Sequence, residues 1–434
     1  MIKINNMYQL LRRTLAKLYH SIGDSFCILN APMRHKLALS RIKGKALIKC
    51  VFLVQNASGW KYDYVFQKML KSQRFDPIIF ICPRPDWGKE YMMEKLNAAK
   101  VFYSNTKCYP TIVSFDEASG DYIDLKKQLH PDIIFYCVPY RNAIDKRYYI
   151  TNFPDTLTVY VPYAFNSSSD YKSFQDELLH NLVWRYYAET NEHRQYSVDN
   201  ARNKGRNVVV TGYPGIDSYL DQSYVPSFHD WKVADVSLKR IIWAPHHTIA
   251  DTGTVIYSCF LQYCNFMVEM AQKYSDKVQF VFKPHPLLRP KLNGLWGKEK
   301  TEAYFEKWVE MSNTSYSEGN YVDLFLTSNA MIHDSGSFIA EYLYLNKPVM
   351  RTMNDCPIEV MYNPFAQKCI DNYYKAYSQE DIEAFIQQVI NGDDPMKEKR
   401  WAFVKKDLLS QGSPSENILN DILDSIDNQI LYRC

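Results

Sequence analysis

Two short apolar runs in the second half of the chain are each followed at once by proline and histidine. The first run covers residues 241–244 and leads into His246 and His247, and the second covers residues 278–282 and leads into His285. Between the two runs, apolar residues recur at helical spacing. A strand, a helix and a second strand in this order form a right-handed unit with parallel strands. We therefore predict a Rossmann-like sheet whose carboxyl edge carries both histidine loops.

A third strand-to-helix junction lies further along the chain. The predicted strand 330–332 is followed by Asp334, Ser335, Gly336 and Ser337. Beyond them, the apolar spacing predicts an amphipathic α-helix that begins near the serine pair. Free backbone N–H groups and the positive end of the helix dipole would make its first turn a phosphate site. A capped helix without a ligand is the simpler interpretation of this junction alone. Three polar strand-end loops together instead predict one anion-binding crevice.

The first half of the chain also alternates short apolar runs with helical segments, as in a parallel sheet covered on both faces. No G-x-G-x-x-G motif and no P-loop occurs in either half, so the nicotinamide and ATPase fingerprints are absent. Polar, proline-bearing sequence at residues 221–235 is the predicted hinge. The predicted strands of the first half are residues 46–54, 77–82, 101–103, 132–138 and 157–161.

We therefore predict an α/β fold of GT-B type, with two Rossmann-like domains that face each other across a cleft. A basic amphipathic N-terminal arm precedes them. From the fold pattern alone the GT-B assignment is an analogy. The predicted segments are residues 1–45 for the arm, 46–220 for the N-terminal domain, 221–395 for the C-terminal domain and 396–434 for a helical tail.

The basic character of the arm is pronounced. Residues 1–49 contain ten lysines and arginines and a single acid, Asp24. Such a helix suits the surface of an anionic membrane, although docking on the protein's own body is equally compatible with the pattern. We expect no nucleic-acid partner, because no zinc spacing, helix-turn-helix signature or RNA-binding motif accompanies the charge. The predicted apolar face consists of Met7, Tyr8, Leu10, Leu11, Leu15, Leu18 and Tyr19.

Composition narrows the class of protein further. The ten cysteines are scattered without a C-x-x-C pair, which indicates reduced thiols and neither a disulfide framework nor a zinc site. No run of eighteen apolar residues predicts a membrane-spanning helix, and the N-terminus lacks the features of a signal peptide. We expect a cytoplasmic protein without a metal.

The segment from residue 333 to residue 348 resembles the CDP-glycerol glycerophosphotransferase family, the teichoic-acid primases and polymerases. The family pattern has an aspartate, a serine pair, an acidic residue four places further on and a Lys-Pro at the helix end. Three weaker matches occur in the same order: the Gly-x-Pro turn at residues 212–214, the aromatic-Ala-Pro strand end at 243–245 and the His-Pro loop at 285–286. The first match runs without a gap through Asp334, Ser337, Glu341, Lys347 and Pro348.

The resemblance implies a cytoplasmic enzyme that acts at the inner face of the cell membrane. It would move glycerol phosphate from CDP-glycerol to a lipid-linked or polymeric acceptor. The N-terminal domain would hold the acceptor and the C-terminal domain the nucleotide donor, with no cofactor besides that donor. By resemblance, His285 would contact the pyrophosphate. The donor side would also include Gly212, Lys283, Asp334, Ser335, Gly336, Ser337 and Glu341, the last of which is equally compatible with a solvated helix residue.

One departure from the family pattern concerns the general base. The family has a His-Gly element at a first-domain strand end, but residues 157–165 contain no histidine. His246 or His247 is the best replacement, with other candidates in the first half, and the family's arginine after Ala-Pro is also absent. Three functions therefore stay open: a glycerol phosphate or polyol phosphate transferase, a GT-B glycosyltransferase that uses a nucleotide sugar, and a non-catalytic scaffold that binds a nucleotide or polysaccharide. The oligomeric state stays open too. The other candidate bases are Asp63, His180 and Glu189.

Overall fold

The computed structural model describes residues 2–57, 59–233, 237–249, 256–319, 321–409 and 412–433, without the side chains of residues 2–21 and 87. The chain divides into two compact units. Unit 1 consists of Met1–Tyr163, Lys172–Pro214 and Ser413–Cys434, and unit 2 of Ala164–Tyr171 and Gly215–Gly412. The last segment thus returns to the unit that contains the N-terminus.

Unit 1 is built on a sheet of seven parallel strands, which are β1 (Ile48–Val54), β2 (Phe75–Ile81), β3 (Thr111–Val113), β4 (Ile133–Tyr136), β5 (Leu157–Tyr160), β6 (Arg185–Ala188) and β7 (Val208–Val210). Their order across the sheet is β3-β2-β1-β4-β5-β6-β7. The helices up to β7 are α1 (Ile2–Ile42), α2 (Asp63–Lys71), α3 (Lys89–Lys100), α4 (Leu125–Leu129), α5 (Tyr171–Gln175), α6 (Leu178–Leu182) and α7 (Asn191–Asn200).

Unit 2 is built on a sheet of six parallel strands, which are β8 (Lys239–Ala244), β9 (Val278–Phe282), β10 (Thr314–Tyr316), β11 (Ala330–His333), β12 (Val349–Thr352) and β13 (Tyr374–Ala376). Their order is β10-β9-β8-β11-β12-β13. Its helices are α8 (Asp217–Leu220), α9 (Phe260–Lys273), α10 (Leu288–Trp296), α11 (Lys298–Glu310), α12 (Val322–Thr327), α13 (Ile358–Met361), α14 (Pro364–Ile370), α15 (Gln379–Asn391) and α16 (Lys397–Phe403). In unit 1, α17 (Pro414–Asp427) follows.

Both faces of the unit 1 sheet are covered by apolar side chains. Along β1, Phe52 belongs to one buried cluster, whereas its neighbours Val51 and Leu53 belong to another. Successive strand residues point to opposite faces, so a strand buried on both sides must be apolar throughout. The near-continuous apolar runs in the sequence have this cause. The prediction of two Rossmann-like α/β domains with parallel sheets is confirmed.

The strand predicted at residues 101–103 was wrong. The residues Val101–Thr106 extend α3 as a π-helical segment, and the strand of this part of the sheet is β3. Tyr103 is fully buried, whereas Val101 is 55% exposed. Burial is thus one-sided over three residues, and so short an apolar run does not by itself distinguish a strand from a helix.

The α-helix predicted to begin near Ser335 was also wrong. Turns follow Ser337, and the regular structure is a five-residue 3-10 helix, Glu341–Leu345. So short an element has neither an α-helical first turn at the serine pair nor the dipole of a long helix. Any phosphate bound at this junction must be held by other groups.

Candidate active site

Three adjacent strands of unit 2 end in the loops that the sequence singled out. Strands β9, β8 and β11 are neighbours, and their carboxyl ends lead into His285, into His246 and His247, and into Asp334. The chain reaches β9 on one side of β8 and β11 on the other. This is the point where the strand order reverses, and parallel α/β sheets bind ligands in the crevice at such a point.

The three histidines of these loops form a cluster. The ring centroids of His246 and His247 lie 4.3 Å apart, and those of His247 and His285 lie 4.2 Å apart. The third pair, His246 and His285, is separated by 5.2 Å. One ring nitrogen of each histidine lies within 4.8 Å of the others, and all three residues are half-buried. The three histidines predicted as catalytic residues thus lie together at the ends of neighbouring strands.

The cluster is uncharged at neutral pH. Burial, the neighbouring His247 and His285, and Arg351 together hold the pKa of His246 well below its usual value. Burial lowers the pKa of His247 to about 4. The pKa of His285 is lowered to about 3 by burial first, and then by the charges of His247 and Lys291. A neutral imidazole has a lone pair that can accept the proton of a hydroxyl group, but a pKa this low makes a weak base, and the negative charge of a bound phosphate would raise it.

A hydrogen bond fixes the tautomer of one of the rings. Nδ1 of His285 accepts the backbone N–H of Leu287 at 3.1 Å, so the proton of this neutral ring sits on Nε2, which becomes a donor. Nδ1 of His246 lies 3.0 Å from Oγ1 of Thr248, a hydroxyl that can pair with either tautomer of the ring. Within the described residues the three histidines are the group with metal-ligand spacing, but the N–H donor of His285 suits the oxygens of an anion better.

Asp334 holds two of the loops in place. Its Oδ1 accepts the backbone N–H of His246 at 2.5 Å, and its Oδ2 accepts that of Cys259 at 2.7 Å, at the start of α9. The side chain is 2% exposed, and burial raises the pKa of its carboxyl group. The structure thus gives this carboxylate a positioning role. Its predicted contact with the donor remains a prediction.

The residues after Asp334 differ in accessibility. Ser335 is buried and its Oγ accepts the backbone N–H of Ser337 at 3.2 Å, whereas Ser337 itself is exposed. A methyl group on Gly336 would lie 3.0 Å from Oγ of Ser167. A larger residue would therefore crowd this turn. Within the predicted loop, Ser337 is the side chain open to a ligand.

Two further predicted donor-side residues have partners inside unit 2. Nζ of Lys283 donates to the carbonyl oxygen of Gly319 at 2.8 Å, and the side chain is 6% exposed. Glu341 is 1% exposed and accepts a hydrogen bond from the hydroxyl of Tyr321. The alternative of a solvated helix residue is therefore wrong for Glu341, because this side chain is buried.

Arg351, on β12, is a charged residue of the site that the sequence did not indicate. It is 1% exposed and donates to the hydroxyl of Tyr362, and its Nε and Nη1 have no hydrogen-bond partner among the residues that the structure describes. The side chain adds a buried positive charge beside His246 and Asp334. The sequence of a strand does not show whether an isolated arginine within it is buried at a functional site.

The match to a known family decides the assignment of the chain. The family model described as CDP-glycerol:poly(glycerophosphate) glycerophosphotransferase matches residues 162–424, well over half of the chain. The chain belongs to this family. The histidine cluster and the Asp334 loop both lie within the matched region.

Curated relatives include two polymerases from Staphylococcus aureus. The teichoic acid ribitol-phosphate polymerase TarL is 24% identical over 259 residues, which are 58% of this chain and 43% of TarL. The teichoic acid ribitol-phosphate polymerase TarK is 22% identical over 258 residues, which are 57% of this chain and 47% of TarK. The chain thus matches less than half of the length of either relative.

Solved structures show the same fold class. The wall teichoic acid polymerase TagF superposes with a TM-score of 0.56 at 12% identity, covering 97% of this chain and 98% of that one. A UDP-GlcNAc 2-epimerase from Neisseria meningitidis superposes with a TM-score of 0.54 at 15% identity, covering 87% and 99%. The predicted GT-B class is therefore confirmed.

In unit 1, three side chains considered as the missing base have structural partners. Asp63 accepts hydrogen bonds from Trp60, Gln67, Lys107 and Tyr109. His180 is 2% exposed and bonds the carbonyl oxygen of Phe174 through Nδ1, and Glu189 is 2% exposed. Gly212, the predicted family turn residue, has a φ of +88°, which favours glycine.

At the carboxyl edge of the unit 1 sheet lies a polar cavity of about 150 Å³. It is lined by Gln55, Asn56, Arg84 and Tyr163, among others. Tyr163 belongs to the segment in which the family pattern has a histidine. Strands β1 and β4, whose ends contribute to this cavity, are the pair at which the strand order of unit 1 reverses. The sequence had assigned no residue to this place.

Proposed function

We propose that the protein transfers glycerol phosphate, or a related polyol phosphate such as ribitol phosphate, from a CDP-activated donor. The acceptor would be a lipid-linked or polysaccharide chain in cell-surface polysaccharide synthesis. Membership of the glycerophosphotransferase family and the similarity to two ribitol-phosphate polymerases support this choice. The observation that carries it is the cluster of three neutral histidines at the strand ends of unit 2.

The reaction forms one bond and breaks another. A hydroxyl oxygen of the acceptor attacks the phosphorus that bears the polyol, and the bond from that phosphorus to CMP breaks. The proton of the hydroxyl passes to His246 or His247, each of which is neutral and able to accept it. His285, whose ring proton sits on Nε2, donates to a phosphate oxygen, and the fixed charges of Lys283 and Arg351 favour the developing negative charge.

We assign the acceptor to unit 1 and the place of action to the inner, cytoplasmic face of the cell membrane. The polar cavity beside Tyr163 supports the first assignment, because amide and phenol groups can bind polyol hydroxyls. The basic N-terminal arm supports the second. Within the described part of the chain, no helix has the length and apolar character needed to cross a membrane. No cofactor besides the donor nucleotide is required in this scheme.

A donor screen tests the proposed function. The full chain would be incubated with CDP-glycerol, CDP-ribitol or common nucleotide sugars and an acceptor extract, and the released nucleotide would be measured. Release of CMP from a CDP-polyol is the expected result. Release of a nucleoside diphosphate from a nucleotide sugar would favour a glycosyltransferase. Binding of a nucleotide with no turnover of any donor would favour a non-catalytic scaffold.

The histidine cluster is tested by a matched pair of variants. His285→Ala should lower kcat/KM for the donor by roughly 10²-fold to 10³-fold, because a donor to the phosphate is lost. His229→Ala is the control, since that side chain is 63% exposed and lies outside the cluster. Unchanged kinetics of His285→Ala would remove the cluster from the mechanism.

A further inference from the structure

Helix α10 begins directly after the His285 loop and has a lysine in its first turn. Nδ1 of His285 accepts the backbone N–H of Leu287, and α10 starts at the next residue, Leu288. Lys291 is the fourth residue of this helix, and its backbone N–H donates to the carbonyl oxygen of Leu287. In an α-helix the Cα–Cβ bonds tilt towards the N-terminus, so a long side chain covers the turn before its own residue. The side chain of Lys291 therefore leans towards the His285 loop.

The charge of Lys291 acts on all three histidines of the cluster. Burial is the first cause of the low pKa of His246, of His247 and of His285, and the positive charge of Lys291 contributes to the low pKa of each. Water and salt screen such an interaction over a distance of about 10 Å. The ammonium group of Lys291 thus lies close to the cluster, on the side of α10.

Lys291 lacks the acidic partner that commonly accompanies a lysine. Arg289, two residues earlier on α10, pairs with Glu302, whereas Lys291 has no ion pair with any residue that the structure describes. The first turn of a helix also carries partial positive charge, which disfavours a lysine at this place. Because the residue is half-buried, water does not solvate its charge fully. A cation in these surroundings is stabilised by a bound anion.

Other groups around the cluster suit an anion as well. Nε2 of His285 carries the ring proton and can donate it. Arg351 is 1% exposed, and its Nε and Nη1 have no hydrogen-bond partner in the described part of the chain. The carboxylate of Asp334 is already engaged by the backbone N–H groups of His246 and Cys259. Positive charge and hydrogen-bond donors thus surround the histidines, as a diphosphate requires.

We propose that Lys291 binds the diphosphate of the nucleotide donor and stabilises the negative charge that the leaving CMP acquires. In the proposed reaction, the bond between the phosphorus that bears the polyol and the oxygen of CMP breaks, and its electron pair stays with CMP. The phosphate of CMP therefore gains one unit of negative charge, while the proton of the acceptor hydroxyl passes to a histidine. A fixed cation beside that phosphate lowers the energy of the transition state. This assignment rests on the proposed function and adds to it a residue outside the strand-end loops.

The first test measures binding without turnover. Isothermal titration calorimetry of CDP with the full chain should give an affinity that Lys291→Met lowers by roughly 10-fold to 100-fold, because a charged contact to phosphate is lost. Lys291→Arg keeps the charge and should restore most of the affinity. The control is Lys277→Met, which should bind CDP like wild type. Lys277 is exposed and precedes β9, whereas His285 follows that strand, so the two lie at opposite edges of the sheet.

Turnover tests the second part of the proposal. Lys291→Met should lower kcat for release of CMP from CDP-glycerol or CDP-ribitol roughly 10²-fold, and Lys291→Arg should recover most of this loss. Wild-type affinity for CDP in Lys291→Met, or no binding of CDP by wild type, would overturn the proposal. So would a loss of affinity that Lys291→Arg does not recover, since the lysine would then have a structural role. If wild type binds CDP but releases CMP from no donor, the proposed function is wrong, and the titration alone decides whether Lys291 binds the diphosphate.

Discussion

Asp334 shows how one buried side chain can determine the geometry of a site. Its two oxygens join the loop after β8 to the start of α9. In Asp334→Asn the amide NH2 would face one of these backbone N–H groups and leave it without an acceptor. We expect the free energy of unfolding to fall by about 2 kcal/mol and donor turnover to fall with it, as measured by urea unfolding and CMP release.

Ser337→Ala is the matched control for that substitution. Ser337 lies three residues further along the same loop and is exposed, so its replacement should leave the free energy of unfolding within about 0.5 kcal/mol of wild type. If Asp334→Asn were as stable as wild type, the carboxylate would not be the link between the two loops. Loss of turnover in Ser337→Ala with unchanged stability would instead support a contact of this hydroxyl with the donor.

At the scale of residues, the side chains of the site that follow strand ends were predictable, and the one within a strand was not. His246 and His285 follow apolar runs, so the parallel-sheet rule alone brings them to one edge. Arg351 lies within β12, where its neighbours are buried, and nothing in the local sequence distinguishes a buried arginine from an exposed one. The role of Asp334 as a link between loops depends on Cys259, 75 residues earlier, and local pattern cannot show such a contact.

At the scale of elements, α17 is tied to unit 1 by a buried arginine. Arg185, on β6, is fully buried, and its Nε donates to Oδ2 of Asp421 on α17 at 2.8 Å. Its other nitrogens donate to Ser425 and to the carbonyl oxygen of Leu431. Arg185→Met should lower the free energy of unfolding by roughly 3–5 kcal/mol, because the buried carboxylate of Asp421 loses its fully buried cation. Urea unfolding measures this loss.

Arg433→Met is the control for this ion pair. Arg433 also contacts Asp421, but its side chain is 38% exposed. Solvent screens such a pair, so the substitution should cost about 1 kcal/mol or less. Equal losses in the two variants would contradict the view that burial makes Arg185 the critical partner. The sequence had predicted a charged helical tail, and without long-range contacts it could not indicate that α17 packs on the first half of the chain.

Elements with long apolar patterns were predicted best. The sequences of strands β1 and β9 and of helix α9 contain apolar patterns that are long enough to define a period. The helix predicted after Asp334 failed although Ile339, Tyr342 and Leu343 have helical spacing, because these residues are fully buried in turns and a 3-10 helix. Tertiary packing buries these apolar residues without an α-helix, although an α-helix would fit the same spacing.

At the scale of the whole molecule, several buried histidines make stability depend on pH. Burial lowers the pKa of His35 to about 3, that of His180 to about 4 and that of His333 to about 3. In the unfolded chain a histidine titrates near 6.5. The unfolded state therefore takes up protons that the folded state does not, as the pH falls from 6.5 towards 4. The free energy of unfolding must decrease over this interval.

Urea unfolding at intervals from about pH 7 to about pH 5 tests this dependence. The free energy of unfolding should fall steadily, since Asp334 and Glu177, whose raised carboxyl pKa values act in the opposite direction, are two groups against several histidines. His35→Gln can keep the contact with Tyr432 but has no proton to gain, so its curve should be flatter than that of wild type. His229→Gln changes a side chain that is 63% exposed and serves as the control. A free energy of unfolding independent of pH would mean that these histidines take up protons at the same pH in the folded protein as in the unfolded chain, so that burial does not lower their pKa.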